Sequence, residues 1–105
     1  MKLPDIRISL PPWLQEYLAG QPAAYPSMQA RMQLAIGLAR ENVAHGSGGP
    51  FGAAIFDMDS QCLLAPGINM VVTTNQSIWH AEIVALTIAQ QLLANYNLSA
   101  EGLPA

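Results

Sequence analysis

The sequence predicts an α/β fold whose elements follow in the order helix, strand, strand, helix. Apolar residues recur at steps of three and four from Met28 to Val43, which is typical of a helix that packs by one side. Two apolar runs on either side of a short polar turn, 57–61, predict an antiparallel hairpin. A second, more apolar helix begins at residue 78 or 79 and extends to residue 94. Two strands are too few to cover two such helices, so we expect an incomplete α/β domain.

The composition favours one globular domain that acts on a small molecule. The chain has 105 residues, of which 51% are hydrophobic and 10% are charged. These fractions argue against disorder, and the low charge indicates a surface covered by more chain or by a partner. Four basic residues and a net charge of −3 provide no basic patch, so we expect no nucleic-acid partner. A small neutral substrate fits this charge better.

The sequence carries no signal for secretion or for a membrane. Cys62 is the single cysteine, so no intrachain disulfide can form, and we expect this thiol to be buried in the hairpin. No apolar run approaches the roughly 20 residues of a membrane span. The N-terminal segment, 1–8, lacks the apolar stretch of a signal peptide. We therefore expect no membrane partner and a cytoplasmic protein.

Residues 1–27 are predicted to form an N-terminal arm, and residues 28–105 the domain. Five prolines interrupt regular structure in the arm. Residues 13–18 can form one or two helical turns, with Pro12 near the first helical position. The apolar face of these turns would consist of Trp13, Leu14, Tyr17 and Leu18. We favour an arm packed on the domain surface, and a substrate lid or a dimer clasp remains the alternative.

The first long helix has a clear predicted beginning and end. Ser27 is suited to cap it, and the segment 45–50 ends it. Gly37 weakens the helix by about 1 kcal/mol relative to alanine, and we expect another backbone to approach there. The residues expected to face the core are Met28, Met32, Ala35, Ile36, Ala39 and Val43.

The hairpin and the second helix follow from local patterns. The first strand is predicted at 51–56, and its small residues at 52–54 indicate that another element packs tightly over its start. The second strand is predicted to begin at 62–65, to be interrupted by Pro66 and Gly67, and to resume at 68–73. Ser77 is a candidate cap for the second helix. That helix is apolar around most of its circumference, so we expect burial on most sides.

His80 and Glu82 flank the predicted start of this helix. An imidazole is a good zinc ligand, and a carboxylate beside a metal site can carry protons. Residues two apart do not share a helix face, but both can reach a site beyond the helix N-terminus. Unpaired N–H groups at that end also favour a developing anion. A lone His-x-Glu is a weak signal, and a purely structural role stays open.

Four short blocks together resemble the cytidine-deaminase-like zinc deaminase superfamily, and within it the bacterial guanine deaminases. The blocks are Gly-Gly-Pro-Phe-Gly-Ala at 48–53, the hairpin, Gly-Ile-Asn at 67–69, and His-Ala-Glu-Ile at 80–83. The resemblance covers 28–105 well and the arm more loosely. It implies that the chain forms the helix–strand–strand–helix first half of the three-layer α/β/α cytidine-deaminase-like fold.

The resemblance also implies roles for individual residues. His80 would be a zinc ligand, and Glu82 would carry a proton from the attacking water to the ring nitrogen and the leaving ammonia. Asn69 would hydrogen-bond the heterocycle, and the backbone N–H of Ala81 would meet a substrate carbonyl. Phe51 lies where the family has an aromatic residue near the pocket. For Asn69 a plain turn role, and for Phe51 core packing, remain alternatives.

The chain departs from the family pattern at the metal. The family completes its zinc site with two cysteines of a Pro-Cys-x-x-Cys motif, and Cys62 cannot supply both. We therefore expect one zinc ligand here and an inactive fragment of a hydrolase.

The complete protein is expected to be a homodimer that deaminates guanine or a related aminated ring. The alternative is a non-catalytic short protein that associates through its exposed sheet edge. A tRNA-editing role is disfavoured by the few basic residues, and Trp79 is expected to cover the helix end rather than to stack on substrate.

Overall fold

The computed structural model describes residues 1–99, and the predicted order of elements is confirmed. Residues 100–105, the last part of the predicted tail, lie outside the described residues. The elements are α1 (Pro12–Ala19), α2 (Met28–Ala44), β1 (Gly52–Phe56), β2 (Leu63–Ile68), α3 (Val71–Thr74) and α4 (Ala81–Leu93). No helix in the described part is long and apolar enough to cross a membrane.

β1 and β2 form the predicted antiparallel hairpin. Gly52 pairs with Ile68, and the ladder continues to Phe56, where the register shifts by a bulge. The predicted interruption at Pro66 was wrong, because β2 runs continuously through this residue. A proline is tolerated on an edge strand, where its missing N–H is not needed by the neighbouring strand. The predicted resumption at 68–73 was also wrong, since the chain turns into the short helix α3.

The two long helices cover opposite faces of the hairpin. Gly52 pairs with Ile68, and residues that pair across two strands lie on the same face. Side chains alternate between faces along a strand, so Gly67, the residue before Ile68, lies on the face opposite to Gly52. A Cβ at Gly52 would collide with the carbonyl of Ala35 in α2, and one at Gly67 would collide with the carbonyl of Ala81 in α4. The tight packing predicted over the strand start is therefore confirmed. The result is an α/β/α arrangement of three layers.

The buried face of α2 differs from the predicted one. Leu34, Leu38 and Asn42 are the buried residues of this helix, at steps of four. Apolar residues occur around much of the helix, so periodicity alone could not choose the face that meets the sheet. More than half of each of the following side chains is exposed: Met28, Met32, Ile36 and Val43.

The N-terminal arm packs into the core. Pro12 occupies the first turn of α1 as predicted, and Trp13 and Leu14 are buried. Tyr25 is also buried, and its N–H donates to the carbonyl of Gln61 at 2.8 Å. Gly37 does lie at a close approach, but the neighbour is the Tyr17 hydroxyl and not the expected backbone.

α4 begins later than predicted and is buried on one side. Its N-cap is His80 rather than Ser77. Its buried residues Ala81, Val84, Ala85 and Ala89 form the side that packs on the sheet. Leu86 and Leu92 are 40% and 69% exposed. The prediction that this helix is buried on most sides was therefore wrong for the part of the chain that the structure describes. Small alanines allow α4 to lie close to the hairpin.

Candidate active site

The end of the hairpin brings the predicted site residues together. Asn69 directly follows β2, and its N–H donates to the carbonyl of Phe51 at 3.3 Å. One residue later, the N–H of Met70 donates to the carbonyl of Trp79 at 2.8 Å. Since Trp79 precedes His80, this second bond holds the start of α4 beside the end of β2.

Gly67 fixes how closely α4 approaches the strand. A Cβ there would collide with the carbonyl of Ala81 and lie 2.7 Å from the Cβ of Ala85. Only glycine therefore permits this contact between β2 and the first turns of the helix. Ala81 is 2% exposed as a result, whereas the side chains of His80 and Glu82 are exposed. Both functional groups thus project from a backbone that is held in place.

The first turn of α4 presents unpaired backbone donors. The helix ladder begins with the bond from the N–H of Val84 to the carbonyl of His80, at 2.9 Å. The N–H groups of the three preceding residues, 81–83, have no acceptor within the helix. His80 forms no capping hydrogen bond with its side chain, so its ring is free for another role. The N–H of Ala81 is therefore placed to meet an acceptor, as the resemblance implies.

Asn69 combines a structural bond with an available donor. Its side chain is almost buried, and its Oδ1 accepts from the N–H of Val71 at 3.2 Å. This bond orients the amide, so that the side-chain NH₂ group is the end that remains for a ligand. No protein acceptor for that NH₂ group occurs within residues 1–99. The turn role and the ligand role considered for Asn69 are therefore compatible.

Asn42 is a residue of the site region that sequence reasoning missed. It is fully buried, and its Nδ2 donates to the carbonyls of Asn69 and Gly49, at 3.0 Å each. Its Oδ1 accepts from the Ser47 hydroxyl at 2.6 Å. Its position in the sequence could have indicated this role, because Asn42 lies four residues after Leu38 and a polar residue on a buried stripe must have hydrogen-bond partners.

Phe51 and Trp79 occupy different surroundings from one another. Phe51 is 59% exposed, so the core-packing alternative for this residue was wrong within residues 1–99. Trp79 is half-buried and lines a cavity together with Ile8 of the arm and Thr87 of α4. The expectation that Trp79 covers the helix end stays a prediction.

The imidazole of His80 is a side chain with zinc-ligand chemistry at this end of the hairpin. Among the described residues, no three histidine, cysteine or acidic side chains come together as a metal cluster. Cys62 is half-buried rather than buried, and it lies at the other end of β2, roughly 20 Å from Asn69 along the strand. His80 has the donor chemistry and the exposure of one zinc ligand, and the remaining ligands would come from outside residues 1–99.

The sequence matches a family of zinc-binding deaminases. Residues 26–102 match the family described as the cytidine and deoxycytidylate deaminase zinc-binding region. Since the match covers more than half of the chain, the chain belongs to this family.

Known guanine deaminases are similar to the chain. The guanine deaminase of Bacillus subtilis (strain 168) is 40% identical over 67 residues, which are 64% of this chain and 42% of that protein. A solved guanine deaminase from Nitrosomonas europaea is 44% identical and superposes with a TM-score of 0.84, covering 96% of this chain and 54% of that one. A structure solved in complex with 2,6-diaminopurine is 45% identical, with a TM-score of 0.84 and coverages of 94% and 51%. The chain spans about half the length of the relatives it matches.

Proposed function

We propose that this chain supplies the histidine–glutamate half of a zinc-dependent hydrolytic deaminase that acts on guanine or a related aminated ring. The observation that carries the proposal is the backbone bond from Met70 to Trp79, which holds His80 and Glu82 beside Asn69. The similarity to two guanine deaminases, and to a protein bound to a diamino ring, supports a purine substrate.

Each residue has a role that its position supports. His80 would provide one imidazole to the zinc ion, which when bound lowers the pKa of a coordinated water. Glu82, exposed in the first turn of α4, would carry one proton from the attacking water to the ring nitrogen, and a second proton from the newly added hydroxyl group to the leaving amine. Asn69 would donate its NH₂ group to a ring acceptor, and the Ala81 N–H would donate to a ring carbonyl. Phe51, which is exposed, would cover the ring.

The distribution of charge supports a small neutral substrate. Arg7 pairs with Asp5 at 3.0 Å on the exposed N-terminal segment. Arg31 donates to the carbonyl of Tyr25 at 2.9 Å, on the side of α2 near the arm. Arg7 lines a cavity with Trp79, the residue before His80, but its charge is already paired with Asp5, so it offers a phosphate backbone little to bind.

The decisive experiment measures ammonia release from guanine by the full-length protein that carries this segment, loaded with zinc. We expect activity in the unchanged protein and a loss of about 100-fold or more in Glu82→Gln, because the proton carrier is removed while the shape is kept. Glu16→Gln, an equivalent change on the exposed side of α1, is the control and should retain activity. Ammonia release that survived Glu82→Gln would defeat the role proposed for Glu82.

A non-catalytic binding function is the second candidate. The outer edge of β1 has no strand partner among residues 1–99, and Met28, Met32 and Met58 line a groove beside it. An open edge with apolar neighbours favours pairing with a second copy of the chain. Sizing chromatography of the 105-residue chain tests this candidate, and a monodisperse monomer would count against it. The homodimer expected of the full-length protein is tested by the same measurement on that protein.

A further inference from the structure

A buried hydrogen-bond network connects the end of α2 to the site. Asn42 is 0% exposed although asparagine is seldom fully buried. Both of its donor bonds reach backbone carbonyls outside its own helix, at Gly49 and Asn69, and its Oδ1 accepts from Ser47. Every polar atom of the side chain therefore has a hydrogen-bond partner, so burial of this amide leaves no donor or acceptor unsatisfied.

The two carbonyls that Asn42 holds belong to two separate pieces of the site. Gly49 precedes Phe51 in the loop before β1, and Asn69 directly follows β2. The side-chain amide of Asn42 therefore acts as a bracket between the loop and the strand end. Gly48 allows the bracket to close, since a Cβ there would collide with the carbonyl of Asn69 and lie 2.7 Å from Nδ2 of Asn42.

The bracket is supported from the arm. Nε1 of Trp13 donates to the Ser47 hydroxyl at 2.9 Å, and that hydroxyl in turn donates to Asn42. The Trp13 ring also stacks on His45, with ring centroids 5.0 Å apart and planes 7° apart. The loop between α2 and β1 is thus held on two sides.

We infer that Asn42 is a positioning residue, which acts on the substrate through Asn69 and does not contact the ring itself. By fixing the carbonyl of Asn69, it sets the backbone from which the Asn69 amide reaches the heterocycle. The inference rests on the proposed function, because it needs Asn69 to bind the ring. An apolar residue at position 42 would extend the buried stripe of Leu34 and Leu38, but it could not form these hydrogen bonds.

A double-mutant cycle in the full-length protein tests the inference. The readout is the equilibrium affinity for 2,6-diaminopurine, measured with Glu82→Gln present throughout so that the ring is not consumed. We expect Asn42→Leu to weaken binding by about tenfold, because the carbonyls of Gly49 and Asn69 lose their donor. In the presence of Asn69→Ala, the same Asn42→Leu change should weaken binding by less than about twofold, since the residue it positions is gone.

Two further variants keep the test interpretable. Ser47→Ala removes the partner of Oδ1 and the acceptor of the Trp13 Nε1–H, while residue 42 keeps its amide. It serves if Asn42→Leu does not fold, and it should weaken binding several-fold. Gln33→Leu makes the same change on the exposed side of α2 and should leave the affinity unchanged. Equal losses from Asn42→Leu with and without Asn69 would overturn the inference, because a purely structural role predicts that result.

The two proposals fail in different ways. If the protein with Asn42 and Asn69 intact binds the ring and Asn42→Leu binds it equally well, the positioning role is wrong and the deaminase proposal stands. If the intact site does not bind any aminated purine, the proposed function is wrong and the positioning role falls with it.

Discussion

The backbone N–H of Met70 donates to the carbonyl of Trp79 across nine residues of chain, with a distance of 2.8 Å. This bond closes a loop that contains α3 and sets the end of β2 beside the beginning of α4. Asn69 and His80, the neighbours of the two bonded residues, are brought to one place as a result. The candidate site is thus built from backbone contacts, and the side chains of His80 and Glu82 extend from them into solvent.

Zinc binding by the full-length protein should depend on His80. We expect His80→Ala to lose most of the bound zinc, because an imidazole ligand is removed from a site of few ligands. The variant should keep its fold, since the side chain is exposed and caps nothing. Metal analysis of the purified protein and a melting curve measure the two effects. His45→Ala is the matched control, and equal zinc in both variants would contradict the assignment.

Gly67 should be intolerant of any side chain. In Gly67→Ala the new Cβ would collide with backbone of α4, which cannot move without opening the contact between helix and sheet. We expect the free energy of unfolding to fall by about 1–3 kcal/mol, as measured by urea denaturation. Gly20→Ala provides the comparison, because its Cβ would lie 3.7 Å from the nearest atom, the carbonyl oxygen of Tyr17. Similar losses of unfolding free energy in both variants would show that the close approach of α4 at Gly67 does not cause the loss.

Tyr25 should make the protein less stable at alkaline pH. Burial raises the pKa of the Tyr25 hydroxyl above its ordinary value of 10.0, and the nearby Tyr17 hydroxyl raises it further. The folded state therefore holds this proton more tightly than the unfolded state does. The resulting stability is fully present below pH 10.0 and is lost as the pH rises through the folded-state pKa.

Replacing that hydroxyl tests the effect. The Oη atom of Tyr25 is buried and has no partner within the described chain, so Tyr25→Phe should be neutral or stabilising at pH 7. The advantage of the variant should grow above pH 10.0, measured by melting temperature as a function of pH. A variant that lost stability at pH 7 would indicate that the hydroxyl has a partner after all.

The end of α4 offers a stabilising change. Ala94 has a φ of 53°, in the left-handed region that disfavours residues with a Cβ. We expect Ala94→Gly to raise the free energy of unfolding by about 0.5–1 kcal/mol, because glycine adopts this conformation without the steric cost. Ala19→Gly, in the last turn of α1, should instead lower it slightly. Chemical denaturation of both variants measures the two changes in unfolding free energy, and changes of the same sign would contradict the prediction.

Local signals in the sequence determined the elements and the chemistry of the site. The Ser27 cap fixes the start of α2, its hydroxyl accepting from the N–H of Ala30 at 3.0 Å. The polar turn after β1 predicted the hairpin, and the His-Ala-Glu block predicted a helix start with zinc-type chemistry. These features depend on residues close together in the chain, so the sequence by itself is sufficient to indicate them.

Only the tertiary structure decided which surfaces meet. Leu34 and Leu38, rather than Met32 and Ile36, face the hairpin, because the arm and the sheet together select that side of α2. Pro66 lies within a continuous strand, since its missing N–H faces away from β1. The bracket formed by Asn42 joins residues 27 positions apart. It depends on the burial of Asn42, which the sequence does not distinguish from other asparagines in helices. Periodicity records which residues share a face, but the partner of that face is set by packing and by the need to satisfy buried polar groups.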